Sequence, residues 1–309
     1  MPRAPLGLAS TCYMTVRRLS DALKLLDHAH ALGASGAQAA LAGGQATPVR
    51  AFCERTGMYF EAIAALPRDG GAAQFETALR EAREAGARCV RVVCLSGRRY
   101  ESFKTLEDWR RFVADSRRRI ELALPVAERV GIALALENHK DWTLDELVAL
   151  LREYETEWLG VCLDTGNNLA LLDDAATFVE ALAPYAVSTH LKDMALEHTG
   201  DGFLLSEMPL GMGQLDIARL VRIIRAARPA TPLTLEMITR DPLPIPCLTS
   251  SYWTTMPARP ARQMAALLAA ARANQKPLPR LSGLPEAERL DKEEANVRAC
   301  LEWAAAHLA

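Results

Sequence analysis

The 309-residue chain lacks the features that mark several large protein classes. It has no CxxC pair: its seven cysteines (Cys12, Cys53, Cys89, Cys94, Cys162, Cys247 and Cys300) are scattered, several inside apolar runs such as "RCVRVVCL" and "LGVCLD". A thiolate zinc site or a disulfide framework needs paired spacing. These thiols are therefore expected to pack as small hydrophobes in a reduced, intracellular protein. No stretch approaches the ~18 apolar residues of a membrane span. The N-terminal "MPRAPLGLASTCYM" has no apolar segment of signal-peptide length, so a soluble, cytoplasmic chain is expected. An excess of charge is missing too, with 36 Lys plus Arg against 38 Asp plus Glu and a net charge of −2. Such a balance provides no basic stripe for nucleic acid and no attraction to an anionic membrane. Low-complexity segments are absent as well. The first apolar run, "GLASTCYM", carries none of the glycines of a dinucleotide-binding turn, which argues against an open doubly wound sheet.

What is present is alternation. Half the residues are hydrophobic, enough for a packed core. Short apolar runs occur at 6–10, 36–41, 58–64, 89–95, 132–138, 159–164, 186–191 and 233–238. Continuous runs of this length suit strands buried on both faces of a parallel sheet. Amphipathic stretches separate them at 18–34, 75–87, 106–131, 143–154, 173–184 and 216–228. "TLDE" at 143–146 has the form of a capping box. Eight strands alternating with helices in a chain of this length predict an α/β fold of the (β/α)8 TIM-barrel class. A Pro-rich stretch at 239–260 is too long for a turn and reads as a lid, binding loop or linker. Helices then follow at about 260–274 and 286–308. The expected organisation is a catalytic barrel over 1–275 with a C-terminal helical extension of the same domain over 276–309.

The barrel reading directs attention to the carboxyl ends of the strands, where functional groups sit in this fold. "IALALENHK" ends the fifth run in Glu137-Asn138-His139-Lys140; the sixth ends in Asp164, the seventh in His190 and the eighth carries Glu236. One at a time each has an ordinary explanation: a solvated strand end, a satisfied core histidine, or a helix cap for Asp164. Together they fall on four consecutive strands at one rim. Three carboxylates held together repel, and a divalent cation removes the conflict. One imidazole with carboxylate oxygens suits Mn²⁺, Mg²⁺, Co²⁺ or Zn²⁺.

The segments "ALENH", "CLDTGN", "STHLKD", "PLGMGQLD" and "LTLEM" occur in this order at those strand ends. With them the chain resembles the sugar phosphate isomerase/epimerase family, the xylose isomerase-like TIM barrels, over roughly residues 6–240. The resemblance implies that Glu137, Asp164, His190 and Glu236 hold one divalent ion, commonly Mn²⁺, and that Glu137 and Glu236 move protons on opposite faces of a substrate. The chain departs from the pattern at three positions. Ketose 3-epimerases place a histidine three residues beyond the Asp ligand, where this chain has Asn167. They place an arginine soon after the His ligand, where it has Lys192. The usual "PLGEG" loses its glutamate to Met212. The superfamily also contains DNA-repair endonucleases with three zinc ions; those need more histidines than the six here.

The expected activity is isomerisation or epimerisation of a keto sugar or related polyol, by proton abstraction alpha to a carbonyl through an enediolate. A dehydratase or lyase on the same scaffold and a non-catalytic sugar-binding barrel are the alternatives. His139, Asn167, Lys192 and Arg240 are candidate substrate contacts. Asp193 is expected to orient His190, and Trp142, Tyr252 and Trp253 are candidates to wall the sugar. The expected partner is a small carbohydrate, with a homo-oligomer possible and neither nucleic acid nor membrane involved.

Overall fold

The computed structural model describes residues 4–256, 258–274 and 277–308. Eight parallel strands form one sheet: β1 (Gly7–Ala9), β2 (Gly36–Ala39), β3 (Tyr59–Ile63), β4 (Val90–Val92), β5 (Leu134–Glu137), β6 (Leu159–Asp164), β7 (Ala186–His190) and β10 (Thr234–Leu235). Each lies within one of the eight apolar runs. The strand order is β10-β1-β2-β3-β4-β5-β6-β7. Backbone bonds just past β7 nearly close the cylinder: Leu191 N donates to Thr234 O at 2.8 Å and Glu236 N to Leu191 O at 3.1 Å. The outer helices carry the signals expected of them. Thr105 caps the 25-residue helix Leu106–Val130, and Gly131, at φ 72°, ends it. Glu146 reaches back to the Thr143 amide at 2.9 Å, completing the capping box at the start of Leu144–Tyr154. At the amino-terminal end of the barrel the Tyr59 ring lies so close to β1 and β2 that a Cβ at Gly7 or Gly36 would overlap it.

Three features were not legible beforehand. Residues 46–56 form a helix, Ala46–Thr56, that the short and Pro-interrupted pattern did not announce. The segment after β7 is a hairpin of β8 (Asp193–Thr199) and β9 (Gly202–Met208), turning through Gly200-Asp201. The Pro-rich stretch is no free loop. Its β11 (Leu243–Ile245) adds antiparallel to β9, with Leu243 opposite Leu205, and Tyr252 is buried with its hydroxyl on Ala170 O at 2.8 Å. Trp142 stacks among Trp109 and Phe112, so these two aromatics pack the scaffold and do not wall a pocket.

The boundary expected at 275/276 lies outside the described residues. The last helix, Glu286–His307, joins the main core through Val297, Cys300, Leu301 and Ala304. It also ties down loops at the carboxyl-terminal rim of the barrel. The fully buried Glu293 accepts the amides of Val16 and Arg17 at 3.0 and 2.9 Å, and Asn296 donates to Thr239 at 2.9 Å. No helix among the described residues is long and apolar enough to cross a membrane. Replacing Glu293 strands two amide donors, each a charge-assisted bond lost. Glu293→Ala is expected to lower stability by ~2–4 kcal/mol in urea unfolding.

Candidate metal centre

Four side chains meet inside the carboxyl-terminal mouth of the barrel. Glu137 is the last residue of β5, Asp164 of β6 and His190 of β7; Glu236 directly follows β10. One ligand atom from each lies within 4.8 Å of the others, and all four residues are buried. From His190 Nδ1 the distances are 3.3 Å to Glu236, 3.7 Å to Glu137 and 3.9 Å to Asp164.

The orientation of each group is enforced. His190 Nε2 meets Gln38 Oε1 at 2.7 Å. Gln38 in turn donates to Glu61 at 3.0 Å and to Ser188 at 3.3 Å, which fixes its amide so that its oxygen faces the ring. The imidazole therefore donates through Nε2 and turns Nδ1 to the centre, where a metal ion would take the place of the proton that the carboxylates otherwise hold there. Asp164 Oδ1 accepts the amides of Gly166 and Asn167 at 2.8 and 2.7 Å, leaving Oδ2 turned inward. Asn138 fastens β5 to β6 through the Asp164 backbone in both directions, at 2.7 and 2.9 Å. Two buried atoms, His190 Nδ1 and Asp164 Oδ2, have no hydrogen bond, although the Lys192 ammonium lies 3.1 Å from the latter. Orphaned polar atoms of this kind are costly unless something binds them. The set of carboxylate oxygens and one imidazole nitrogen fits a single divalent cation.

Electrostatics already lean on cations. Burial would raise the Glu137 carboxyl, but Arg91 from β4 grips one of its oxygens, and with His190 it holds the group well below the usual carboxylate range. Glu236 is likewise pushed up by burial and pulled down further by His190 and by Lys192, 2.5 Å away. At Asp164 burial wins and its carboxyl is raised in spite of Lys192. Three such close carboxylates titrate as a set.

Of the other residues singled out from sequence, His139, Lys192 and Arg240 line a cavity of about 370 Å³ that opens onto Glu236. His139 bonds to Gly97 O at 3.0 Å, and burial together with Lys140 pushes its imidazole down to about 3, so it is neutral. Asn167 accepts from Lys140 and Lys192 and donates to Glu137 at 3.2 Å. Arg240 pairs with Glu207 at 2.5 Å. Asp193 has a different post from the one expected: it accepts four backbone amides, of Met194, Gly211, Gly213 and Leu215, and so shapes the loop after the hairpin. Gln38 occupies the position by His190 that the sequence suggested for Asp193. Gln38, Glu61 and Arg91 all escaped sequence reading. Their signal was there, since each is the polar residue inside an otherwise apolar strand. Glu207 was hidden in the unrecognised hairpin.

Comparison with known proteins gives a consistent picture. A family model described as "Xylose isomerase-like TIM barrel" matches residues 26–270. A "3-oxo-isoapionate decarboxylase" from Pectobacterium atrosepticum is 32% identical over 108 residues, which is 34% of this chain and 39% of that protein's length. Among solved structures, an L-ribulose 3-epimerase superposes with TM-score 0.57 at 18% identity, covering 96% of this chain and 98% of that one. A xylose isomerase-like barrel from Mycobacterium smegmatis in complex with magnesium gives TM-score 0.56 at 16% identity, with 80% and 88% covered.

Two measurements test the centre. Mn²⁺ at a hundred times its dissociation constant should stabilise the fold by ~2.7 kcal/mol in thermal or urea unfolding, and His190→Ala should abolish the gain. A second concerns Asp141, fully buried beside the site with Oδ2 lacking a partner. Burial pushes its carboxyl up from 3.8 to about 7. The folded state then holds a proton that the unfolded state releases, so stability falls as pH rises from about 4 to 7. Asp141→Asn should gain ~2–3 kcal/mol relative to the parent between pH 5 and pH 8.

Proposed function

The chain belongs to the xylose isomerase-like TIM barrel family, and from that premise we propose that it is a divalent-metal-dependent enzyme that moves a proton alpha to the carbonyl of a keto sugar or related polyol through an enediolate. The observation that carries this reading is the joint burial of Glu137, Asp164, His190 and Glu236 within 4.8 Å at the carboxyl-terminal mouth of the barrel. These four would hold the ion; manganese is our first assignment, with magnesium, cobalt and zinc suited to the same donors. When bound, the ion supplies Lewis-acid polarisation of the substrate carbonyl.

The two glutamates are not equivalent. Glu236 lines the cavity, so it is the carboxylate placed to take and return the proton. Glu137 is wholly buried, does not line the cavity and is gripped by Arg91 and Asn167. Inversion of a carbon centre needs an acid and a base on opposite faces. Glu137 serves as the second only if Arg91 releases it. Outcomes that need one carboxylate are better served: return of the proton to the neighbouring carbon, as in an isomerase, or loss of a leaving group, as in a lyase. The resemblance to a decarboxylase supports the lyase as the second reading. There the bond from the alpha carbon of a 3-oxo acid to its carboxyl group breaks. CO₂ departs, the electron pair stays on the enediolate, and Glu236 relays a proton from solvent to that carbon.

Incubation of keto sugars and 3-oxo sugar acids with Mn²⁺ in D₂O is the test. Deuterium should appear at the carbon alpha to the carbonyl, and Glu236→Gln should slow its entry by ~10²–10⁴-fold. Released CO₂ marks the lyase. A metal-loaded protein that labels no substrate of the panel would refute the proton-transfer reading.

A further inference from the structure

The cations around the cavity are unevenly answered by carboxylates. Arg91 is matched by Glu137, Lys192 by Glu236 and Asp164, Arg240 by Glu207, and Arg98 by the exposed Glu101. Lys140 is the exception. Its side chain is buried, the residue being only 2% exposed, and its ammonium bonds to the neutral Asn167 oxygen with no carboxylate in ion-pair reach among the described residues. Its neighbours are cationic. A backbone bridge sets Arg98 beside Lys140, and Arg98, Lys140, Lys192 and Arg240 share the cavity wall. Burial first, then Lys192 and Arg240, press the Lys140 ammonium down to about 8 against the opposing pull of the more distant Glu207 and Asp164. A buried charge without a counter-ion is strongly unfavourable. Arg91, Lys140, Lys192 and Arg240 balance the four carboxylates Glu137, Asp164, Glu207 and Glu236 only while no ion is bound; a divalent cation would bring the total to six positive charges against four negative. A neutral sugar does nothing to correct this.

We propose that Lys140, with Arg98 and Arg240, forms an anion subsite in this cavity, and that the substrate is a negatively charged sugar derivative whose carboxylate or phosphate supplies the missing counter-charge. The inference rests on the reading that a sugar-derived ketone binds at this rim, and it adds the charge class of that substrate. The roughly 370 Å³ cavity is of the size that takes a small sugar acid or sugar phosphate.

Calorimetric titration of the full chain with sorbitol, D-gluconate and sorbitol 6-phosphate tests this without relying on turnover. At least one anion should bind ~10-fold or more tightly than neutral sorbitol, the scale of one charge-assisted bond. Lys140→Met should remove that preference, and Lys140→Arg should retain most of it. Gluconate as the tighter ligand identifies a carboxylate, sorbitol 6-phosphate a phosphate. Equal binding of all three, no binding of either anion, or a preference that survives in Lys140→Met overturns the proposal. Mn²⁺ titration of the same samples keeps the two readings apart. Lost metal binding with a Lys140-dependent anion preference defeats only the metal assignment. Normal metal binding without that preference defeats only the subsite.

Discussion

Burying three carboxylates beside one imidazole is the constraint from which the rest of this structure follows. Charges withdrawn from water are tolerated only when paired, and every layer around Glu137, Asp164 and Glu236 answers that demand. Arg91 rises from β4 to meet Glu137, and Lys192 follows β7 to bridge Asp164 and Glu236. The histidine between them is aimed by a relay through the barrel interior. His190 leans on Gln38, Gln38 on Glu61, and Glu61 accepts Thr234 Oγ1 at 2.8 Å. Thr234 shares the Tyr59 hydroxyl at 2.9 Å, and that hydroxyl also meets Leu233 O at 2.8 Å. The ring that makes this last step passes where only glycine fits, at Gly7 and Gly36. The orientation of one imidazole is thus fixed by the strands that close the cylinder.

The elements outside the barrel serve the same mouth. The hairpin of β8 and β9 carries Glu207 inward, buried against Arg240 and 3.9 Å from Lys192. It supplies the carboxylate that pairs Arg240. β11 and the buried Tyr252 anchor the hairpin's outer side. The C-terminal helix holds the loop after β1 through Glu293 and the segment after β10 through Asn296. The loops that frame the cavity are therefore braced from behind, in keeping with a site whose groups must be preorganised before a ligand arrives.

How much of this could be read beforehand depended on period and on locality. The eight strands were legible because strands buried on both faces are continuous apolar runs, and the long helices because their caps are local, as at Thr143 and Gly131. The hairpin was missed because its strands, "DMALEHT" and "GFLLSEM", break their apolar residues with Asp193, Glu197, Ser206 and Glu207 and so lack the continuous run that marked the others. The four clustered rim residues were visible because strand ends in a closed barrel converge. Their supports were not, since Gln38 and His190 are 152 positions apart and no local pattern joins them. The same distance explains Asp193. It lies three positions beyond His190, and an odd offset on an alternating backbone turns it away, toward the amides of Gly211, Gly213 and Leu215.

Asn167 shows how one substitution resets the chemistry of a rim. It stands where ketose 3-epimerases carry a histidine. A neutral imidazole has a single acceptor nitrogen, whereas an amide oxygen has two lone pairs and the amide nitrogen two donors. Asn167 uses that capacity, accepting both Lys140 and Lys192 on its oxygen while donating to Glu137 and to Asn138 O. An imidazole here would leave one ammonium without an acceptor. The amide and the two lysines are therefore a joint choice, and keeping both lysines charged inside the cavity raises its potential. Beside the carboxylates that could hold a metal ion, one amide thus gathers two buried ammonium groups.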